Sequence, residues 1–218
     1  MKIFRYVIFA VVLLIQCKTT EPPFLNDIIK FRQSDASGKP ANDMVLFIGS
    51  SSFTYWKDVQ TDLNNPNILN RGFGGSTLLD VWRYKDDIIF TYKPKQIVIY
   101  CGENDLAYSE KVSSKDVLKR FQKLYKSIRK QYPAISLVYI SLKPSPARWK
   151  MRNRVLEANR LISAFLATEK NTIFVNIWDK MMNENGYPKS EIFTADSLHM
   201  NKLGYNIWVN ELKGVLFK

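Results

Sequence analysis

The run Met44-Val45-Leu46-Phe47-Ile48 carries no polar side chain and stops on Gly49-Ser50-Ser51-Ser52. A strand with one wet face would alternate apolar with polar residues. A short unbroken run closed by turn residues instead predicts a strand buried on both faces. Strands of that kind belong to parallel sheets, where ligands gather beyond the carboxyl ends of the strands. Gly49 lets the backbone leave the sheet sharply, so the three serines are placed at that edge. Taken alone, they read equally well as a serine-rich turn or a helix cap.

Four further apolar runs share this character, at 67–70, 96–101, 136–140 and 172–177. Helical periodicity marks 24–33, 77–89, 114–132, 150–169 and 202–216. In 114–132, for example, Val117, Phe121, Leu124, Ile128 and Tyr132 fall on one face. Residues 35–42 hold a glycine and a proline and read as a loop. Strands alternating with helices of this length imply an α/β fold. The expectation is a three-layer α/β/α domain over 24–218, with a five-stranded parallel sheet in the flavodoxin-like order 2-1-3-4-5. The 218 residues suffice for one domain with a sizeable core. No repeat, low-complexity tract or second linker interrupts it.

The amino terminus is different. A short basic start, Met1-Lys2-Ile3-Phe4-Arg5, precedes an apolar stretch over 6–15, too short to span a bilayer but suited to a signal-peptide core. It ends at Gln16-Cys17 and resembles a bacterial lipoprotein signal. The resemblance implies a leader over 1–16, lipid modification of Cys17, and a polar tether over 17–23. The protein is therefore expected to be exported to the cell envelope and held to a membrane by lipid, or else to be periplasmic or secreted.

The formal charge is +12, which favours anionic partners in general. No arginine-rich cluster with interleaved aromatics accompanies it, so it reads as a solubilising coat and no nucleic-acid partner is expected. Two cysteines, Cys17 and Cys101, define no disulfide framework. With His199 the single histidine, a zinc site of the usual His/Cys type cannot be assembled, and no metal is expected.

The segments that follow the strands hold most of the chemistry. After the first come Ser50, Ser51 and Ser52; after the second, Arg71-Gly72-Phe73-Gly74-Gly75-Ser76-Thr77. After the third comes Gly102-Glu103-Asn104-Asp105; after the fourth, Lys143-Pro144-Ser145-Pro146-Ala147-Arg148. Asp196-Ser197-Leu198-His199 stands before the last helix. In a parallel sheet these segments share one edge. A serine hydroxyl becomes a nucleophile when a base takes its proton, and histidine is the side chain that exchanges protons near neutral pH. Asp196, three residues earlier, can hold the imidazole in one tautomer. The backbone N–H groups of Ser51 and Gly75 and the Asn104 amide can serve a developing oxyanion. Each residue also has a plain structural reading, as turn former, cap or core histidine. The Gly72-x-Gly74 pair lacks the third glycine of a dinucleotide fingerprint.

The set Gly49-Ser50-Ser51, Gly72–Gly75, Gly102-x-Asn104-Asp105 and Asp196-x-x-His199 resembles the four blocks of the SGNH (GDSL-type) hydrolases, over a stretch from about residue 24 to the carboxyl terminus. Ser50 stands where that family usually has Asp. The resemblance implies a serine esterase acting without metal or cofactor. Ser51 would be the nucleophile, Asp196 and His199 the acid–base pair, and Ser51, Gly75 and Asn104 the oxyanion donors. Ser50 and Ser52 stand as rival nucleophiles. The substrate class implied is a carboxylic ester, with short acyl groups on glycans or lipids favoured because the loops are brief. Two other readings compete: a catalytically silent surface lipoprotein that binds a glycan or anionic polymer in the same cleft, and a flavodoxin-like phosphate or cofactor binder.

Overall fold

The computed structural model describes residues 21–38 and 40–217. The expected leader and Cys17 lie outside the described residues, and the tether is described only from residue 21 onward. In chain order the elements are α1 Leu25–Ser37, β1 Val45–Gly49, α2 Ser51–Thr54, α3 Val59–Asp62, β2 Ile68–Gly72, α4 Leu78–Arg83, β3 Gln96–Tyr100, α5 Glu103–Ala107, α6 Ser114–Gln131, β4 Ser136–Ile140, α7 Arg152–Leu166, β5 Thr172–Val175 and α8 Lys202–Leu212. The strands form one parallel sheet in the order β2-β1-β3-β4-β5, as the sequence implied.

Every residue of β1 and β3 is buried, which is why neither alternates. Ile99 pairs with Tyr139 across the sheet, so the adjacent Tyr100 points to the opposite face from Tyr139. Trp208 of α8 packs on Tyr100 with ring centroids 4.8 Å apart, and Phe121 of α6 packs on Tyr139 at the same separation. Helices therefore cover both faces. The apolar stripe of α6 is the predicted one, Val117, Phe121, Leu124 and Ile128, and Phe165 of α7 closes on Phe121 and Tyr125. Each such buried side chain contributes about 1.5–3 kcal/mol relative to exposure.

Several boundaries differ from the sequence reading. Helix α1 runs on to Ser37, absorbing the start of the expected loop 35–42. Its last turns are held because Asp35 pairs with the buried Arg71 and accepts from the Tyr92 hydroxyl at 2.5 Å. Arg71 itself belongs to β2 rather than to the following loop. The expected helix 77–89 breaks into α4 and a π-helical turn, Asp86–Phe90. The wider turn buries the adjacent Ile88 and Ile89 together while Asp87 reaches Arg32. The last helix ends at Leu212 instead of 216, because the Gln96 side chain takes the Val215 carbonyl and the Phe217 N–H and draws the chain aside.

In register, Gly49 faces Gly72 on one side and Tyr100 on the other, so β1, β2 and β3 end together. A Cβ on Gly49, at φ +145°, would lie 1.9 Å from the Tyr100 carbonyl oxygen. Only glycine allows that approach, and it brings the serine turn against the end of β3.

Candidate active site

Ser50 is the N-cap of α2 and donates its N–H to the Tyr100 carbonyl at 3.0 Å. This places Ser51 in the first helical turn, where a backbone N–H has no intrahelical acceptor. Ser50 and Ser52 are buried, whereas Ser51 is partly open. Of the three hydroxyls, the Ser51 Oγ is the one that meets the imidazole, 3.0 Å from His199 Nε2.

His199 reaches that position by a long route. Between β5 and α8 the chain makes two 3₁₀ turns, Asp179–Met181 and Ser190–Ile192, and two isolated bridges, Met182 to Pro188 and Phe193 to Met200. The second bridge closes a tight loop in which Ser197 takes φ +56°. Asp196 sits at its turn. Its Oδ1 accepts from the N–H groups of Leu198 and His199, each at 2.9 Å, and from the Thr194 hydroxyl at 2.8 Å. Its Oδ2 meets His199 Nδ1 at 2.5 Å. Burial alone would raise this carboxyl, but the bonds from His199, Leu198 and Thr194 outweigh it and hold the carboxyl far below its usual range. An ionised carboxylate only accepts, so Nδ1 carries the proton. In the neutral ring Nε2 is then an acceptor, facing the Ser51 hydroxyl. That arrangement can draw a proton from Ser51.

Gly75 and Asn104 converge on the same edge. The Ser76 hydroxyl donates to the Gly49 carbonyl at 3.1 Å, and the Ser76 carbonyl accepts from Asn104 Nδ2 at 3.0 Å. One fully buried serine thus ties together the segments after β1, β2 and β3. Gly75 has φ +84°, and its carbonyl accepts from the Tyr108 hydroxyl at 2.8 Å. Helix α4 starts just beyond it on a capping box, Thr77 with Asp80. Asp105, the neighbour of Asn104, accepts from the Leu78 N–H and from Arg120, and fixes α4 against α5. Exposed rings flank the site: Tyr55 lies 4.5 Å from the His199 ring by centroid, and Tyr108 caps Gly75.

The structure therefore brings together Ser51, Gly75, Asn104, Asp196 and His199. Reasoning from sequence gave no role to Ser76, Tyr108, Glu103, Lys143 or Arg148. Arg148 was marked by its place in the polar segment 143–148 after the fourth strand, a segment that also shares in the family resemblance. Here Arg148 donates to Asn104 Oδ1 at 2.8 Å and contacts Glu103 at 3.0 Å. Cys17 lies outside the described residues. Among the described residues, no group of three or more His, Cys, Asp and Glu side chains is placed to hold a metal ion.

A serine, an imidazole and a carboxylate hydrogen-bonded in series at the carboxyl edge of a doubly wound parallel sheet are groups of the kind that acyl-transferring hydrolases use. The chain belongs to the GDSL-like lipase/acylhydrolase family, whose model matches residues 48–207. It is 26% identical over 192 residues to platelet-activating factor acetylhydrolase IB subunit alpha1 of Rattus norvegicus, covering 84% of this chain and 79% of that one. It is 25% identical over 174 residues to N-acylneuraminate cytidylyltransferase of Escherichia coli O18:K1:H7 (strain RS218 / NMEC). That match covers 79% of this chain but only 40% of the longer relative. In fold it is similar to a GDSL-like lipase from Bacteroides thetaiotaomicron VPI-5482, with TM-score 0.70, 20% identity, and 86% and 95% of the two chains covered.

Proposed function

We propose that the protein is a serine esterase that removes short acyl groups from glycans or lipids through an acyl-enzyme on Ser51. The observation that carries this reading is the 3.0 Å contact between Ser51 Oγ and His199 Nε2, with Asp196 on the far side of the ring. In the first half-reaction His199 takes the hydroxyl proton as Ser51 attacks the ester carbonyl, then gives it to the departing alcohol. In the second, water takes the place of the alcohol and the acyl group leaves as its acid. The N–H groups of Ser51 and Gly75 and the Asn104 amide hold the oxyanion in both.

One observation supports a short acyl group. A relative of similar length is named an acetylhydrolase. Labelling by a fluorophosphonate, lost in Ser51→Ala alone, tests the nucleophile; retained labelling overturns it. Faster turnover of long-chain than of acetate p-nitrophenyl esters overturns the acyl preference.

The sequence around Cys17 supports export and lipid anchoring. Detergent partitioning of the full chain against Cys17→Ser tests this, and equal partitioning of the two refutes it.

A further inference from the structure

Beneath the site lies an ionic cluster with no part in the proton transfer just described. Glu103 and Lys143 are each 3% exposed and pair at 2.7 Å; the Tyr100 hydroxyl donates to the same Glu103 oxygen at 2.5 Å. The other Glu103 oxygen accepts no hydrogen bond and forms only an ion pair with Arg148 Nη1 at 3.0 Å, while Arg148 Nη2 donates to Asn104 Oδ1 at 2.8 Å. A buried ion pair is costly to desolvate and is weak evidence of a purely stabilising role. This one has a further consequence for Asn104.

The Asn104 amide is gripped on both sides. Its oxygen accepts from Arg148 and one Nδ2 hydrogen goes to the Ser76 carbonyl. A flip of the amide would set its NH₂ against the guanidinium and its oxygen against the Ser76 carbonyl, losing both bonds. The amide plane is fixed, and the second Nδ2 hydrogen is left over. Burial works against the charge of Lys143, and the Glu103 carboxylate beside it supports that charge. Burial opposes ionisation of Glu103, but its two cations hold its carboxyl below the usual range. Arg148 is also locked to the loop that carries the imidazole, because the neighbouring Ala147 N–H donates to the Ser197 carbonyl at 3.1 Å.

We infer that Arg148, itself paired with the buried Glu103, is a positioning residue for the oxyanion donor Asn104, fixing the amide orientation. This rests on the esterase reading above and deepens it.

The test is a double-mutant cycle on p-nitrophenyl acetate with the full chain: wild type, Asn104→Ala, Arg148→Met and the double variant. Arg148→Met should lower kcat about 10–100-fold, somewhat less than outright loss of a donor, with KM changed by less than about threefold. Added to Asn104→Ala, it should cost less than about threefold more, because the residue it positions is already gone. A merely structural arginine would lower activity equally in both backgrounds. Independent, multiplying effects overturn the inference. So does a raised KM with kcat unchanged, which would make Arg148 a substrate contact. Should Arg148→Met not fold, Arg148→Lys goes through the same cycle with the same criteria. Lysine can reach one of the two acceptors but not fork between them, so an intermediate kcat is expected. Failure of the parent reading looks different: fluorophosphonate labelling then persists in Ser51→Ala, or Asn104→Ala retains wild-type kcat.

Discussion

Replacing Asp196 with asparagine changes a single oxygen to NH₂, and the local hydrogen bonds decide which way the new amide turns. Three donors point at Oδ1, from Leu198, His199 and Thr194, whereas Oδ2 meets only His199 Nδ1. Turning the NH₂ toward the three donors would forfeit three bonds, about 3 kcal/mol at roughly 1 kcal/mol each. The asparagine therefore keeps its oxygen there and presents NH₂ to Nδ1. That forces Nδ1 to accept, so the neutral ring carries its proton on Nε2, facing Ser51. The base is then blocked although every atom stays in place. The expected loss is about 10⁴-fold in kcat, the size of a wrong-tautomer effect, or about 5.5 kcal/mol of barrier. Steady-state hydrolysis of p-nitrophenyl acetate measures it, and a melting curve establishes that the fold survives. A loss smaller than about tenfold would mean that Asp196 does not set the tautomer, and the proposed division of roles would fail.

Gly49→Ala should destabilise the domain by at least about 3 kcal/mol or prevent folding, since its Cβ would lie 1.9 Å from the Tyr100 oxygen; a melting temperature within a few degrees of wild type counts against the register described. Because Lys143 and Arg148 hold the folded Glu103 carboxyl low despite its burial, its stabilisation is complete above the unfolded value of about 4.3 and fades as pH falls through the folded one. Glu103→Gln should flatten that acid limb and cost about 3–5 kcal/mol at neutral pH; urea melts across pH 3–7 read both, and an unchanged acid slope refutes the assignment. Trp208→Ala removes the ring that packs on Phe53 and Tyr100. It should cost about 3–5 kcal/mol, read from the urea midpoint; a loss under about 1 kcal/mol would mean that the site refills.

The sheet was legible because burial on both faces leaves unbroken apolar runs, and β1, β3 and β4 are such runs. The helices that cover it were legible from periodicity wherever one face packs and the other is wet, as in α6. Legibility failed where a distant partner overrode the local pattern. Helix α1 outruns its apolar stripe because Arg71 and Tyr92 hold Asp35, and the final helix stops where Gln96 captures the chain. Arg148 shows the same limit inside the site. Its role depends on Asn104 and Glu103, more than forty residues away in sequence, and no spacing rule reaches that far.

Sequence alone determined which chemical groups exist and which edge of the sheet they occupy, because strand order and parallel direction follow from local pattern and chain connectivity. Only the tertiary structure decided which of three adjacent serines faces the imidazole, how the Asp196 loop returns after its long excursion, and which cation grips the Asn104 amide. Those are contacts of a few ångströms between remote segments. They are set by how the whole core packs, and a local stretch of chain carries no record of them.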